Sequence, residues 1–300
     1  MERNAAAVLG HPVAHSLSPV LHEAAYRVLG APWDYTRCDV PAQDWDRFWQ
    51  DRVAEGHWRG FSVTMPLKAL AAEQADECTA LVRALGVANT LVFRADGTTV
   101  ADNTDVTGIM AALTSAREIP ARPRCAILGG GGTATAAVAA LHGLGAPSID
   151  VFARSTQRAG KVTRAAGKLG ATVTVRPWGE AAASLVDYDA VISTLPPHGA
   201  DELAAQFGAL DAKVSGVLLD AAYDPWPSAI ARSWRDAGGA IAPGVDMLIF
   251  QAVDQVRWFA LGRVDQPVPR EAEVTAAMCR AVARPERVIP ERARAAQLER

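Results

Sequence analysis

Charge of one sign is what this sequence most lacks. Its 33 acidic and 30 basic residues leave a net −3 over 300 positions, too even a balance for the basic field of a nucleic-acid binder. Cysteine is also scarce. Cys38, Cys78, Cys125 and Cys279 lie far apart and none sits in a CxxC pair. That excludes a disulfide framework and the commoner zinc patterns, and it reads as free thiols in a reducing compartment. No apolar run approaches the roughly 18 residues of a membrane span; Ala136–Leu141 is among the longest. The opening MERNAAAVLGHPVAHS breaks its short apolar stretch with His and Pro, unlike a secretory leader. The expectation is a cytoplasmic protein without a nucleic-acid or membrane partner. With 50% hydrophobic and 21% charged residues, the chain can bury a true core, and its length suits about two domains.

The hydrophobic period alternates between strand and helix. Ala5–Gly10, Asp34–Val40 and Gly60–Val63 read as strands, with helices over Pro19–Leu29, Asp44–Ala54 and Leu67–Ala84. A possible Ser18 N-cap precedes the first helix. Thr90–Arg94 and Thr98–Asp102 form a hairpin around Ala95-Asp96-Gly97, and a helix runs from Thr107 to about Ala116. Strands at Arg124–Leu128, Ser148–Ala153, Thr172–Val175, Asp189–Ser193 and Gly216–Asp220 then alternate with helices at Thr133–Leu144 and Arg158–Leu169. This is the signature of a doubly wound parallel sheet. Val245–Leu261 and about Arg270–Val282 read as closing helices. The fold class is therefore α/β with two domains: an N-terminal α/β substrate domain and a Rossmann-type cofactor domain. The expected division is 1–106 completed by 244–283, then 107–243, with 284–300 a fraying tail that carries eight charges and two prolines.

Gly129-x-Gly131-x-x-Ala134 lies between a strand and a helix inside a βαβ unit, where backbone turns and a helix N-terminus can hold a pyrophosphate. A glycine-rich turn without a ligand is the bland reading. The next strand runs into Arg154 and Ser155, with Thr156 and Arg158 following. Guanidinium and hydroxyl groups there suit the 2′-phosphate of NADP, where an NAD site would place an acid. Asp150 comes too early in that strand. In the first domain, Ser16 and Ser18 flank a turn, Lys68 follows a strand's C-terminal end, and Asn103-Thr104-Asp105 opens a helix. Each has an ordinary use, as a cap or a solvated charge.

Taken in order, these segments resemble the shikimate dehydrogenase family from about Val8 to about Gln255. The carrying motifs are Gly10-His11-Pro12-Val13-Ala14-His15-Ser16-Leu17-Ser18-Pro19 with His22, Ser62-Val63-Thr64-Met65-Pro66-Leu67-Lys68, Gly86–Thr90 and Asp102–Gly108. The glycine loop, Ser193-Thr194-Leu195-Pro196, Asp220–Pro225 and Gly244-Val245-Asp246-Met247-Leu248-x-x-Gln251 complete the set. The resemblance implies NADPH-dependent reduction of 3-dehydroshikimate to shikimate. It implies Lys68 and Asp105 as the catalytic pair. Ser16, Ser18 and Tyr223 would hold the substrate carboxylate, and Thr64, Asn89, Asp105 and Gln251 the ring hydroxyls. For NADP it implies Gly129, Gly130, Gly131, Gly132 and Thr133 on the pyrophosphate, and Arg154, Ser155 and Arg158 on the 2′-phosphate. Thr194, Leu195, Ala221 and Gly244 would line the nicotinamide side.

Three positions depart from the common pattern. Ser62 replaces an Asn, Ala153 an Asn and Glu23 an Asn. Two other readings stay open: a quinate/shikimate dehydrogenase using NAD, and a non-catalytic sensor of pathway ligands. Trp45, Trp49 and Trp58 read as core. His11, His15 and His22 straddle a turn, and no metal site is expected. A monomer or homodimer acting on a small-molecule substrate is the expected assembly.

Overall fold

The computed structural model describes residues 4–291 and Ala293. The chain divides into two compact units. One holds residues 4–104 and 251–288; the other holds 105–250 together with 289–291 and Ala293. Each is built on a six-stranded sheet.

The first sheet comprises β1 (Ala5–Gly10), β2 (Asp34–Asp39), β3 (Trp58–Val63), β4 (Glu77–Cys78), β5 (Thr90–Phe93) and β6 (Thr99–Asp102), in the order β2-β1-β3-β5-β6-β4. β1 pairs in parallel with β2 and β3, whereas β5 runs antiparallel to both β3 and β6. The reversal comes from the expected hairpin. Arg94 N–H donates to Thr98 O at 2.8 Å, and Gly97 takes φ +94°, a left-handed turn that favours glycine. The β1 strand is buried along its whole length and made of small residues, as an inner strand covered on both faces requires. Trp45, Trp58, Phe61 and Phe93 fill the core on one side of the sheet, with Trp49 packed against them.

The segment Leu67–Ala84 is not one helix. It breaks into Lys68–Gln74, the short strand β4 and Ala80–Leu85. The break is chemical. The Asp76 carboxylate accepts from both the N–H and the hydroxyl of Thr99 at 2.8 Å, tying the chain to β6. Thr79 then caps the next helix by accepting from Val82 N–H. Ser18 is not a cap either: the helix Ser18–Leu29 begins at Ser18 itself, behind Leu17, with no side-chain cap bond.

The second sheet is wholly parallel. Its strands are β7 (Cys125–Leu128), β8 (Ile149–Ala153), β9 (Val173–Pro177), β10 (Ala190–Ser193), β11 (Val217–Asp220) and β12 (Ala240–Pro243), ordered β12-β11-β10-β7-β8-β9. The order reverses between β7 and β10, so the switch point lies at their carboxyl ends. The Ala-rich helix Gly132–Gly143 is buried along its length from Ala134 to Leu141, as a helix apolar all round must be. The strand β12 and the helices Asp201–Gly208 and Ala229–Asp236 go beyond the sequence reading.

The helix Gly244–Leu261 starts in the second unit and ends in the first. Within the first, Phe259 lies so close to β3 that a Cβ on Gly60 would come within 2.3 Å of its ring. The tail departs from the expectation at its start. Ile289 and Ala293 are buried, because two apolar side chains in a charged stretch find a core to enter. Residues 294–300 lie outside the described residues. No helix among the described residues is long and apolar enough to cross a membrane.

Candidate active site

In the first unit the polar residues expected to meet substrate are inside, not on the surface. Ser16, Ser18, Asn89 and Gln251 are all buried, and Thr64 is half-buried. Thr64 is set by the end of β1: its N–H donates to Leu9 O at 2.8 Å. Gly10 is bare because a Cβ there would fall 2.3 Å from the Thr64 methyl. Lys68, half-buried, opens its helix five residues past the end of β3, and its carbonyl accepts from Ala88 N–H at 2.8 Å, which joins the lysine loop to the segment carrying Asn89. The Ser16 carbonyl accepts two bonds from the Arg37 guanidinium, at 2.6 and 3.0 Å. Its hydroxyl accepts from Ser18 N–H at 3.3 Å.

Asn89 and Gln251 are brought together. The Asn89 amide donates to Gln251 Oε1 at 3.2 Å and to Thr104 Oγ1 at 2.9 Å. Thr104 N–H donates back to Asn89 Oδ1 at 2.8 Å. A main-chain N–H can only donate, so that contact fixes which end of the Asn89 amide is oxygen. Asp105 is the first residue of the second unit, buried at the start of the helix Asp105–Ala116. Tyr223, half-buried, also belongs to the second unit, with the residues expected at the cofactor.

In that second unit the expected cofactor residues gather along the carboxyl ends of five adjacent strands. Gly129 follows β7 with φ +116°, and a Cβ there would stand 2.4 Å from Thr194 Oγ1. Thr194, just past β10, closes on the same place by donating through its hydroxyl to Leu128 O at 3.0 Å. Leu195 lies 3.5 Å from the same imagined Cβ. Ala221 and Gly244 meet likewise: a Cβ on Gly244 would come within 2.5 Å of Ala221 O. Gly130 is buried, while Gly132 and Thr133, half-buried, open the helix behind the loop.

Gly131 is different. Its backbone is ordinary and nothing in the protein lies within 4 Å of where its Cβ would be. Neither strain nor crowding within the chain calls for glycine there. The space there is open to a group lying against the loop, no side chain caps the helix Gly132–Gly143, and there is no acid in its first turn. A pyrophosphate fits that cradle.

Arg154 is exposed just after β8, its guanidinium over the Trp178 ring at 5.5 Å from the centroid. Ser155 beside it is half-buried. The Arg158 side chain lies outside the described residues. Asp150 is engaged elsewhere: its carboxylate accepts from Tyr188 Oη at 2.6 Å and from Arg176 at 3.3 Å. Trp178 escaped the sequence reading because its partnership crosses from β8 to β9. Gln255, Tyr35 and Arg37 escaped it too. For Gln255 one signal was present: it lies four residues after Gln251, on the same helical face.

A family model for the shikimate dehydrogenase substrate binding domain matches residues 8–91. A shikimate dehydrogenase (NADP(+)) of Methylobacterium radiotolerans is 35% identical over 259 residues, covering 84% of this chain and 90% of that protein. The chain belongs to the shikimate dehydrogenase family. Among solved structures, the shikimate dehydrogenase of Mycobacterium tuberculosis is 38% identical with a TM-score of 0.79, over 93% of this chain and 99% of that one. The Thermus thermophilus shikimate 5-dehydrogenase, solved in complex with NADP(H) and shikimate, is 26% identical with a TM-score of 0.73, over 93% and 99%. Membership in the shikimate dehydrogenase family accounts for both sheets at once, the mixed one carrying the lysine loop and the parallel one carrying the glycine loop.

Proposed function

We propose that the protein catalyses the reversible NADPH-dependent reduction of 3-dehydroshikimate to shikimate, a step of chorismate and aromatic amino-acid biosynthesis. The observation that carries this reading is the pairing, in one chain of this family, of a lysine-bearing loop beside an Asn89–Gln251 cluster with a glycine loop at the switch point of a parallel sheet. The relatives' names support the cofactor assignment, and the Thermus thermophilus complex holds both NADP(H) and shikimate.

Lys68 has the central role. Reduction of a carbonyl leaves negative charge on oxygen, which an ammonium stabilises and can neutralise by giving its proton. Asp105 is the second catalytic residue, accepting from the ring hydroxyl next to the reacting carbon. Ser16 and Ser18 offer hydroxyl donors to the substrate carboxylate, with Tyr223 assisting. Thr64, Asn89 and Gln251 bind the ring hydroxyls. Gly129 to Thr133 hold the pyrophosphate with main-chain N–H groups, while Arg154, Ser155 and Arg158 hold the 2′-phosphate. Thr194, Leu195, Ala221 and Gly244 shape the nicotinamide side. The bound nicotinamide supplies the hydride, and the chain supplies alignment and the proton. Both reagents are diffusible small molecules, which suits a cytoplasmic monomer or homodimer.

The test is absorbance at 340 nm with purified protein, shikimate or quinate, and NADP⁺ or NAD⁺. Turnover of shikimate with NADP⁺ is expected to dominate. Better turnover of quinate with NAD⁺ moves the protein to the catabolic reading. Binding of shikimate without turnover in any combination leaves a ligand sensor.

A further inference from the structure

The helix face that carries Gln251 also carries Gln255, one turn on and buried. Its amide nitrogen donates to Asn89 O at 3.0 Å and to Thr90 Oγ1 at 3.1 Å. A carbonyl can only accept, so the nitrogen end of this side chain must face Asn89. Gln255 Oε1 therefore faces the other way. There it accepts from Ser62 Oγ at 2.7 Å and meets His22 Nε2 at 3.3 Å. His22 Nε2 must then carry its hydrogen, and Tyr26 Oη, 3.2 Å from Nδ1, is the donor on the far side. Ser62 in turn accepts from Tyr35 Oη at 2.6 Å.

One carboxamide thus bonds to three segments of the first unit, the helix bearing Ser18 and His22, the strand that leads into the lysine loop and the segment bearing Asn89, and reaches a fourth, β2, through Ser62. The Asn89 carbonyl also accepts from Val63 N–H at 2.7 Å, so Gln255 and Val63 both donate to it, while the Asn89 N–H donates to Asp102 O at 3.1 Å. Thr90 passes the constraint on, donating through its hydroxyl to Asn89 Oδ1 at 2.8 Å. Each link in the chain has a donor and an acceptor in the right sense. All its members are buried, where a lost partner is not replaced by water. Ser62 is the weak point. A serine hydroxyl has one hydrogen and a short reach, and it spends that hydrogen on Gln255. Ser62 faces Thr90 across the ladder, and the Asn89 carbonyl lies beside it, held by the next residue, Val63.

We infer that Gln255 is a positioning residue for the substrate-binding amides, supplying from the helix Gly244–Leu261 a carboxamide that the single hydroxyl of Ser62 cannot replace, and so setting Asn89 and Gln251 for the ring hydroxyls. The inference rests on the activity proposed above. Its distinguishing consequence is an exchange: the carboxamide can be moved from position 255 to position 62 and still serve.

The experiment compares the wild-type protein, Gln255→Ser, and the double variant Ser62→Asn with Gln255→Ser, by steady-state kinetics with shikimate and NADP⁺ and by thermal unfolding. Gln255→Ser is expected to lower kcat/KM for shikimate roughly tenfold, as a displaced binding group does, through KM for shikimate and with KM for NADP⁺ unchanged. The double variant is expected to recover most of that loss. Unchanged kinetics in Gln255→Ser overturn the inference. So does a loss shared equally by both substrates, which marks a merely structural role, and so does failure of the double variant to recover. A wild-type protein that does not oxidise shikimate overturns the activity itself; an active wild type beside an equally active Gln255→Ser overturns only this inference.

Discussion

Arg154 follows directly on the last residue of β8 and lies over Trp178, so its guanidinium has an indole face on one side, and no ion pair to a carboxylate among the described residues. A stacked guanidinium keeps its donors for a phosphate. Replacing Arg154 by Ala is expected to raise KM for NADP⁺ about 10- to 100-fold, since a hydrogen bond to a charged group contributes about 1.5–3 kcal/mol. KM for NAD⁺, which lacks the 2′-phosphate, should move little. Equal losses with both cofactors in parallel assays would remove the 2′-phosphate role. Gly129 tests the loop by sterics alone. Its φ of +116° and the 2.4 Å approach of Thr194 Oγ1 leave no room for a Cβ. Gly129→Ala should weaken NADP⁺ binding, read by fluorescence titration, and cost about 1–3 kcal/mol of stability. Gly131→Ala, where nothing of the protein crowds the position, should leave stability unchanged and affect binding only. Wild-type NADP⁺ affinity in that second variant would mean no ligand group lies against the loop.

At the scale of elements, what the sequence made readable was local. Glycines at strand ends, the Asp96-Gly97 turn and the alternation of periods all carry their cause within a few residues. The split of Leu67–Ala84 was not readable, because its cause is a carboxylate bonded to Thr99, 23 positions away. The Asn89–Gln251 contact spans 162 positions; motif resemblance named both residues, but only the fold could show them touching. Gln255 was hidden for the same reason, and because a glutamine on a helix face ordinarily points to water. The helix that carries it is fastened to its neighbour Glu271–Ala281 by a buried ion pair. Arg257 donates to both Glu271 oxygens at 2.6 Å and to Asp254 at 3.2 Å. Glu271 also accepts from Val268 N–H, fixing the connecting loop. Glu271→Ala leaves the buried guanidinium with only part of its compensation. It should destabilise the fold by about 3–5 kcal/mol, measured by chemical denaturation. A change below 1 kcal/mol would mean that water or Asp254 takes over the charge.

On the scale of the whole molecule the two units differ in how acid acts on them. In the first, burial brings His22 down to about 3, so it stays neutral when folded and takes up a proton when unfolded. Around it, Tyr26 on its own helix and Tyr35 from β2 are both shifted upward by burial and stay neutral, and Phe259 carries no charge. Between pH 3 and about 6.5 the unfolded chain therefore binds one more proton, and stability must fall as pH falls through that window, by at most about 1.4 kcal/mol per pH unit. Asp39, Asp76, Asp96, Asp265 and Glu273 belong to the same unit, and hydrogen bonds hold each carboxyl below its ordinary range. Their contributions are present above the ordinary carboxyl pKa and are lost on further acidification, in the same sense as His22. In the second unit the sign reverses. Burial raises Asp220, so there the folded form holds a proton that the unfolded form has released, and acidification toward that window favours folding. Hydrogen exchange read by mass spectrometry should therefore show protection lost first in 4–104 and 251–288 as pH falls from 7.5 to 5. His22→Gln, which keeps an amide donor and cannot take up the proton, should flatten that loss in the first unit and leave 105–250 untouched. An unchanged pH slope in His22→Gln would show that the imidazole is not the group responsible. A uniform loss over both units would show that acid acts on the molecule as one body.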